Sequence, residues 1–323
     1  MTLLAGDVGG TKTLLALFEE GSLVRRESFP SARYASLQAL VREFLGPAAH
    51  PVTRACFGVA GPVSAETCRA TNLPWVIDAR ELETALAISR VALVNDFHAL
   101  SVGIGELPAG DLARLNEVPA DPHGPRVVIG AGTGLGQAVL VEGPQGVQVL
   151  ASEGGHCDFG PRNELEIELL RFMLRRHDHV SYERLVSGPG LVAIYEFLRE
   201  KRASPESAAV AAALAADPEG AAATVSTHAL GNADPLCARA LDLFTSIYGA
   251  EAGNLALKVV ARGGVYVAGG IAPKILAKLS DGTFMKAFLD KGRLSHVLEG
   301  TPVRVVLNPE VGLLGAAAIA RRL

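Results

Sequence analysis

The sequence predicts a mixed α/β protein built as two lobes, and three observations carry that prediction. Short apolar runs alternate with helical periodicity through the first hundred residues, the pattern of strands separated by helices. Two stretches repeat one theme of apolar run, glycine turn and apolar run: GDVGGTKTLLALFE near the start and RVVIGAGTGLGQAVLVE at 126–142. Between them, residues 105–125 are polar and rich in proline and glycine, which suits a crossover between lobes. Sliding the first hairpin onto the second sets Gly10-Thr11 on Gly132-Thr133. A duplicated fold with one glycine turn per lobe would face the two turns across a cleft.

Each element follows from local pattern. Residues 3–18 read as a hairpin around the glycines. Leu37, Leu40, Val41 and Phe44 fall at helical spacing over 35–45, and Gly46-Pro47 ends that helix. RACFGVA (54–60) is a buried strand stopped by Gly61-Pro62. Asp78 is placed to cap a helix over about 78–88, and VALVNDF (91–97) is a further buried strand ending in Asn95-Asp96. Residues 163–176 are amphipathic, and Ser181 is expected to cap a short helix after them. Ser204-Pro205-Glu206 reads as a cap followed by proline in the first turn of an alanine-rich helix. Asp234-Pro235 opens another helix, periodic to Arg262 and stopped by Gly263-Gly264. VYVAGGIAP (265–273) is a strand, a glycine turn and a helix start, and PVRVVL (302–307) is a strand. The final VGLLGAAAIARRL is a helix of small residues expected to pack back on the first domain. The domain boundaries read as 1–106 plus about 308–323, and 107–307.

Composition removes several classes of function. At 49% hydrophobic and 20% charged the 323-residue chain can bury a large core, which excludes disorder. A net charge of −4 with no Lys/Arg block argues against nucleic acid as a partner. Cys56, Cys68, Cys157 and Cys237 are far apart without a CxxC, which fits a reducing cytoplasm better than a disulfide framework or zinc knuckle. No apolar run reaches the roughly 18 residues of a membrane span without glycines, and no basic leader precedes the first strand, so neither a membrane anchor nor a signal peptide is expected.

The glycine turns are the chemical signal. A Walker A loop needs glycine directly before Lys-Ser/Thr, yet Thr11 precedes Lys12. The dinucleotide fingerprint needs a third glycine, and GAGTGLG offers Leu135 or Gln137 at that offset. What remains is a hairpin that grips phosphate with backbone N–H groups and a threonine hydroxyl. Asp7 beside such donors makes sense if a divalent cation stands between it and the phosphates. One such turn alone reads equally well as an ordinary hairpin; two, with a third glycine turn at Gly269-Gly270, are harder to dismiss.

GDVGGTKT, VNDF, GAGTGLG, EGGH and VAGGIAP, in this order from residue 6 to about 315, resemble the bacterial glucokinases of the hexokinase–actin–Hsp70 superfold. The resemblance implies a two-lobed, ribonuclease H-like α/β fold with an interdomain cleft, ATP-dependent phosphorylation of glucose, and Mg²⁺ with ATP as cofactors. Related ROK kinases carry a zinc-binding cysteine cluster after the EGGH motif. Here HCDFGPRNELE holds only Cys157, so the chain resembles the zinc-free branch and no structural zinc is expected. A homodimer is implied, since the family often pairs.

Asp96 is the expected general base, at a strand end where α/β sheets place ligands. Asn95, Glu153 and His156 offer the donors and acceptors a polyol needs. The resemblance adds Glu183 and Asn72 as sugar contacts. Gly6, Asp7, Val8, Gly9, Gly10, Thr11, Gly132, Thr133 and Gly134 are expected to grip phosphates, with Asp7 reaching magnesium through water. Gly269 and Gly270 are expected to line the adenine–ribose side. Plainer readings stand beside these: Asn-Asp as a turn or cap, His156 as a structural histidine, Glu183 as a surface charge. Lys12 either touches a phosphate or caps its turn, and His177 and His179 read as an exposed helix end. Competing functions are a kinase for another hexose or amino sugar, a kinase using ADP or polyphosphate, a sugar-sensing regulator, and an actin-like or chaperone-like ATPase. A regulator would place a helix-turn-helix ahead of the first strand, and an ATPase has no use for EGGH.

Overall fold

The structure, a computed structural model, describes residues 2–46, 51–71, 73–144, 146–231 and 233–323. It divides into unit 1, Met1–Asp111 with Asn308–Leu323, and unit 2, Leu112–Leu307.

Unit 1 begins with β1 (Thr2–Val8), β2 (Lys12–Glu19) and β3 (Ser22–Pro30), an antiparallel meander. Helix α1 (Leu37–Leu45) follows, its first turn capped by the Ser36 hydroxyl accepting the Ala39 N–H. Strand β4 (Val52–Val59) lies parallel to β1. Three short strands, β5 (Val63–Ser64), β6 (Thr67–Arg69) and β7 (Val76–Asp78), form a small antiparallel sheet. Asp78 then caps α2 (Ala79–Leu86), accepting from Arg80 N and Glu81 N. Strand β8 (Arg90–Asn95) pairs parallel with β4 and runs directly into α3 (Asp96–Gly103).

Unit 2 opens inside the stretch expected to be a crossover. Strand β9 (Leu112–Arg114) lies there, an edge strand too short and too half-buried to show in the sequence. The second hairpin is β10 (Arg126–Ala131) and β11 (Leu135–Gly143), followed by β12 (Gly146–Ser152). Helices α4 (Glu164–Leu174), α5 (Gly188–Glu200), α6 (Ala208–Ala216), α7 (Ala221–Leu230) and α8 (Pro235–Val259) come next. Two expected caps are corrected. Ser181 is extended and bridges Asp158, and Ser187 caps α5. Ser204 Oγ donates to Ala203 O, while Ser207 caps α6 because its own N–H is held by Asp234, the cap of α8. Helix α8 also stops before Arg262, where Val260 turns left-handed at φ 50°. Strand β13 (Gly264–Ala268), helices α9 (Leu276–Leu279), α10 (Thr283–Leu289) and α11 (Ser295–Glu299), and strand β14 (Val303–Val306) complete the unit. The chain then returns to unit 1 as α12 (Val311–Arg322).

The sheets share one plan. Unit 1 has the order β3-β2-β1-β4-β8, and unit 2 has β12-β11-β10-β13-β14 with β9 added at the edge. In both, a meander is followed by two parallel strands, so the duplication hinted at by two Gly-Thr turns is a duplication of topology.

Burial follows the pleat. One face of the first sheet, with Leu4, Leu15 and Phe57, packs on α1 and α2. Leu3, Ala5, Ala16, Phe18 and Cys56 of the other face lie under Leu313, Ala316, Ala317 and Ala320 of α12. Helix α12 also crosses α3 so tightly that a Cβ on Gly315 would stand 1.7 Å from Ala99 O. In unit 2, α8 runs through the core, with Phe244, Ile247 and Tyr248 fully buried. No described helix is long and apolar enough to cross a membrane.

Candidate active site

The candidate site residues of unit 1 gather at the C-terminal ends of β1 and β8. Gly6 and Val8 are buried within β1, and a Cβ on Gly6 would stand 2.4 Å from the Phe57 ring, so packing alone requires that glycine. The open part of the turn is Gly9, Gly10 and Thr11. Gly9 N donates to Lys12 O at 3.0 Å, and Ser31 clamps the turn from behind. Its N–H donates to Thr11 O (3.1 Å) and its hydroxyl to Gly9 O (2.7 Å). Since that proton is used, Thr13 Oγ1, 2.9 Å away, donates to Ser31 Oγ. Both hydroxyls are fully buried. Sequence reasoning missed Ser31, because nothing local ties it to a turn more than twenty residues earlier.

Asp7 is the charged member of this group. Burial and the nearby Asp96 carboxylate push it up to about 6, against a smaller opposing pull from Lys12. Asp7 and Lys12 line a cavity of about 420 Å³ together with Arg26 and Glu310, which are ion-paired. Two close carboxylates with partial compensation make a setting in which a divalent cation fits.

Asn95 and Asp96 sit where β8 becomes α3. Asn95 Oδ1 accepts from Phe97 N (2.9 Å) and His98 N (3.3 Å), and Nδ2 donates to Gly61 O (3.1 Å). The cap reading of Asn95 is therefore met by its geometry, and one amide proton is left for other use. Asp96 Oδ1 accepts the Phe97 N–H at 2.8 Å, and the carboxylate lies at the positive end of α3. Asn72 lies outside the described residues.

Unit 2 brings a second group together. Gly132 N donates to Gly134 O (2.8 Å), closing the turn, and Gly132 O accepts from Gly188 N (2.8 Å) at the start of α5. Thr133 at its tip is exposed. Glu183 stands behind the turn: its Oε2 accepts the Leu135 N–H at 2.9 Å. A Cβ on Gly134 would stand 2.5 Å from that oxygen, so a side chain here would push the Glu183 carboxylate aside. Glu183 Oε1 lies 3.6 Å from His156 Nε2, with the two side chains 30% and 62% exposed. His156 ends a 3-10 turn, Gly154–His156, that Glu153 starts; Glu153 itself is exposed. The same segment is tied down by Glu183 N donating to Gly155 O at 2.9 Å.

A buried polar network lies beneath that turn. Gln137 Nε2 donates to Glu251 Oε1 (2.8 Å), and Asn254 Nδ2 donates to Glu251 Oε2 and approaches the Tyr182 hydroxyl, both at 3.0 Å. Burial holds Glu251 above the usual carboxylate range, with the two amides pulling the other way. At the end of β13, Gly269 takes φ 83° and a Cβ there would stand 2.4 Å from Ala131 O, so only glycine fits. Gly270 is exposed, with open space where a Cβ would be. His179 Nε2 contacts Asp158 Oδ1 at 2.7 Å, both side chains exposed. Among the described residues no three His, Cys, Asp or Glu side chains gather into a metal-holding group.

Similarity to known proteins runs along the whole chain. A family model described as Glucokinase matches residues 4–323. A glucokinase of Nostoc punctiforme is 45% identical over 341 aligned residues, covering 99% of each chain. The crystal structure of a glucokinase from an Antarctic psychrotroph has a TM-score of 0.86 at 31% identity, covering 100% of this chain and 99% of the other. A glucokinase from Balamuthia mandrillaris, solved in complex with glucose, shares the fold with a TM-score of 0.78 at 23% identity, covering 99% of this chain and 93% of the other. With its ordered glycine turns, the carboxylate opening α3 and a full-length family match, this chain belongs to the glucokinase family.

Proposed function

We propose that the chain transfers the γ-phosphoryl group of ATP to the 6-hydroxyl of glucose, giving glucose 6-phosphate and ADP. The observation that supports this most directly is Asp96, a carboxylate at the C-terminal end of β8 close enough to Asp7 to raise it. In the reaction Asp96 takes the proton of the attacking hydroxyl as the sugar oxygen bonds to the γ-phosphorus. The bond from that phosphorus to the bridging oxygen breaks, and its electron pair stays on ADP. Glu153, His156 and Glu183 bind the sugar hydroxyls, the carboxylates as acceptors and the imidazole in either role. Asn95 contributes its remaining amide proton, and Asn72 is a further sugar contact in this reading.

The turns at Gly9–Thr11 and Gly132–Gly134 offer backbone N–H groups and threonine hydroxyls to the phosphates, and Gly269-Gly270 leaves room for the base and ribose. Asp7 would hold magnesium, through water. The ion, when bound, supplies positive charge to the phosphate oxygens. Lys12 faces the same cavity and adds its own charge there. The working form is proposed to be a homodimer in the cytoplasm, a reducing compartment that suits four unpaired cysteines. Sedimentation of the purified chain tests the dimer.

The deciding experiment is a coupled ADP-release assay over a panel of sugars and phosphate donors, with and without magnesium. ADP release that requires both glucose and ATP supports the assignment. Release without sugar would mark an ATPase, and a stronger response to another hexose, to ADP or to polyphosphate would move the assignment to that substrate.

A further inference from the structure

Strands β10 and β13 run parallel, and their pairing ends at Gly130 and Ala268. Beyond that point each chain enters a glycine turn, Gly132–Gly134 after β10 and Gly269-Gly270 after β13. Sheet hydrogen bonds no longer fix their separation, so something else must. Ala131 O takes the Ile271 N–H at 3.2 Å and packs on Gly269, which accounts for one side of Ala131. Its N–H points the other way, to the hydroxyl of Tyr248 on α8, at 3.2 Å. The same hydroxyl lies 3.3 Å from Ile129 O and 3.5 Å from Ala268 O. One buried oxygen thus touches the last stretch of both strands, just before both turns.

The ring is built to hold still. Tyr248 is fully buried, with Phe244 and Phe284 set edge-on at centroid distances of 6.0 and 5.6 Å. Burial pushes its phenol up, so the proton stays on at working pH. An aromatic ring without the hydroxyl would pack equally well, which means that packing does not explain the oxygen.

We propose that the Tyr248 hydroxyl is a positioning residue for nucleotide binding: it helps set the spacing of the Gly132–Gly134 and Gly269-Gly270 turns by accepting the Ala131 N–H of one strand end while its single proton is shared between Ile129 O and Ala268 O of the two strands. This rests on reading those turns as the nucleotide side of the site. Tyr248→Phe removes the oxygen and keeps the ring. The expected result is a rise in KM for ATP of roughly three- to tenfold, the scale of one buried hydrogen bond. KM for glucose and kcat should stay within about twofold. A hydroxyl serving stability alone would lower Tm and leave KM for ATP where it was; that outcome overturns the proposal. Gly270→Val separates the two ideas, since its Cβ would enter open space and should disturb the nucleotide, not the fold. If Gly270→Val raises KM for ATP while Tyr248→Phe does not, the positioning role alone fails. If neither variant changes it, the turn does not meet the nucleotide and both ideas fall. A selective rise in Tyr248→Phe supports the role whatever Gly270→Val does.

Discussion

The two glycine hairpins share topology and differ in chemistry. Matching Gly10-Thr11 to Gly132-Thr133 sets Ile129 against Asp7 and Gly134 against Lys12. The first hairpin therefore brings its own charges, and it is braced locally by Ser31 and Thr13. The second is uncharged from Val127 to Val141 and is braced from outside its meander, by Glu183, the start of α5 and Tyr248. A duplicated backbone thus serves two duties. One copy manages charge beside Asp96; the other keeps its turn bare so that a carboxylate from another segment can stand against it.

Four variants break or sharpen that contrast. Asp96→Ala attacks the charged half at its reacting group and should lower kcat by about 10²–10⁴-fold, measured in the coupled assay; near-normal turnover would remove it from the chemistry. Glu183→Ala attacks the second half. It orphans Leu135 N and removes a proposed sugar acceptor, so KM for glucose should rise roughly 10- to 100-fold. An unchanged KM would reduce Glu183 to a structural brace. Asp7→Asn tests the charge itself. Because the folded carboxylate titrates near 6 instead of 3.8, the native protein holds an extra proton between those values. Stability is therefore lost as pH rises from about 4 to about 6, and the full cost persists above that. Without magnesium, Asp7→Asn should be more stable than the parent by about 3 kcal/mol at pH 8 and no different near pH 3, read by urea unfolding, while turnover falls. Equal stability at both pH values would mean that Asp7 is not strained by its surroundings. The smallest change is Ser31→Ala, which leaves Gly9 O without its hydroxyl donor and should cost about 1–2 kcal/mol with KM for glucose unaltered. The urea midpoint reads this, and no shift would mean that the clamp is redundant.

Much of this plan was legible because it is written locally. Apolar runs broken by glycine gave both hairpins, and Asp78 and Asp234 cap the helices they precede. Strand β3 was not legible, since SLVRRESFP is an edge strand whose outward charges hide its one buried residue, Phe29. Ser181 and Ser204 were the expected caps, but Ser187 and Ser207 do the capping, and tertiary partners such as Asp234 on Ser207 N favour that choice. Gly6 illustrates a different limit. Its place in a glycine motif suggested a ligand, yet the Phe57 ring already forbids a side chain there. Tyr248 was hidden for a similar reason: two of its three partners, Ala131 and Ile129, lie more than a hundred residues away and meet it only through the fold.

The C-terminal helix has a consequence for how the chain is made. Leu3, Ala5 and Cys56 are translated roughly 250–300 residues ahead of the residues that cover them, Leu313 to Ala320. Nascent unit 1 must wait with a greasy flank bare while all of unit 2 is synthesised and can fold. A chain lacking α12 would strand that flank permanently, and such a product is a natural client for chaperones and proteases.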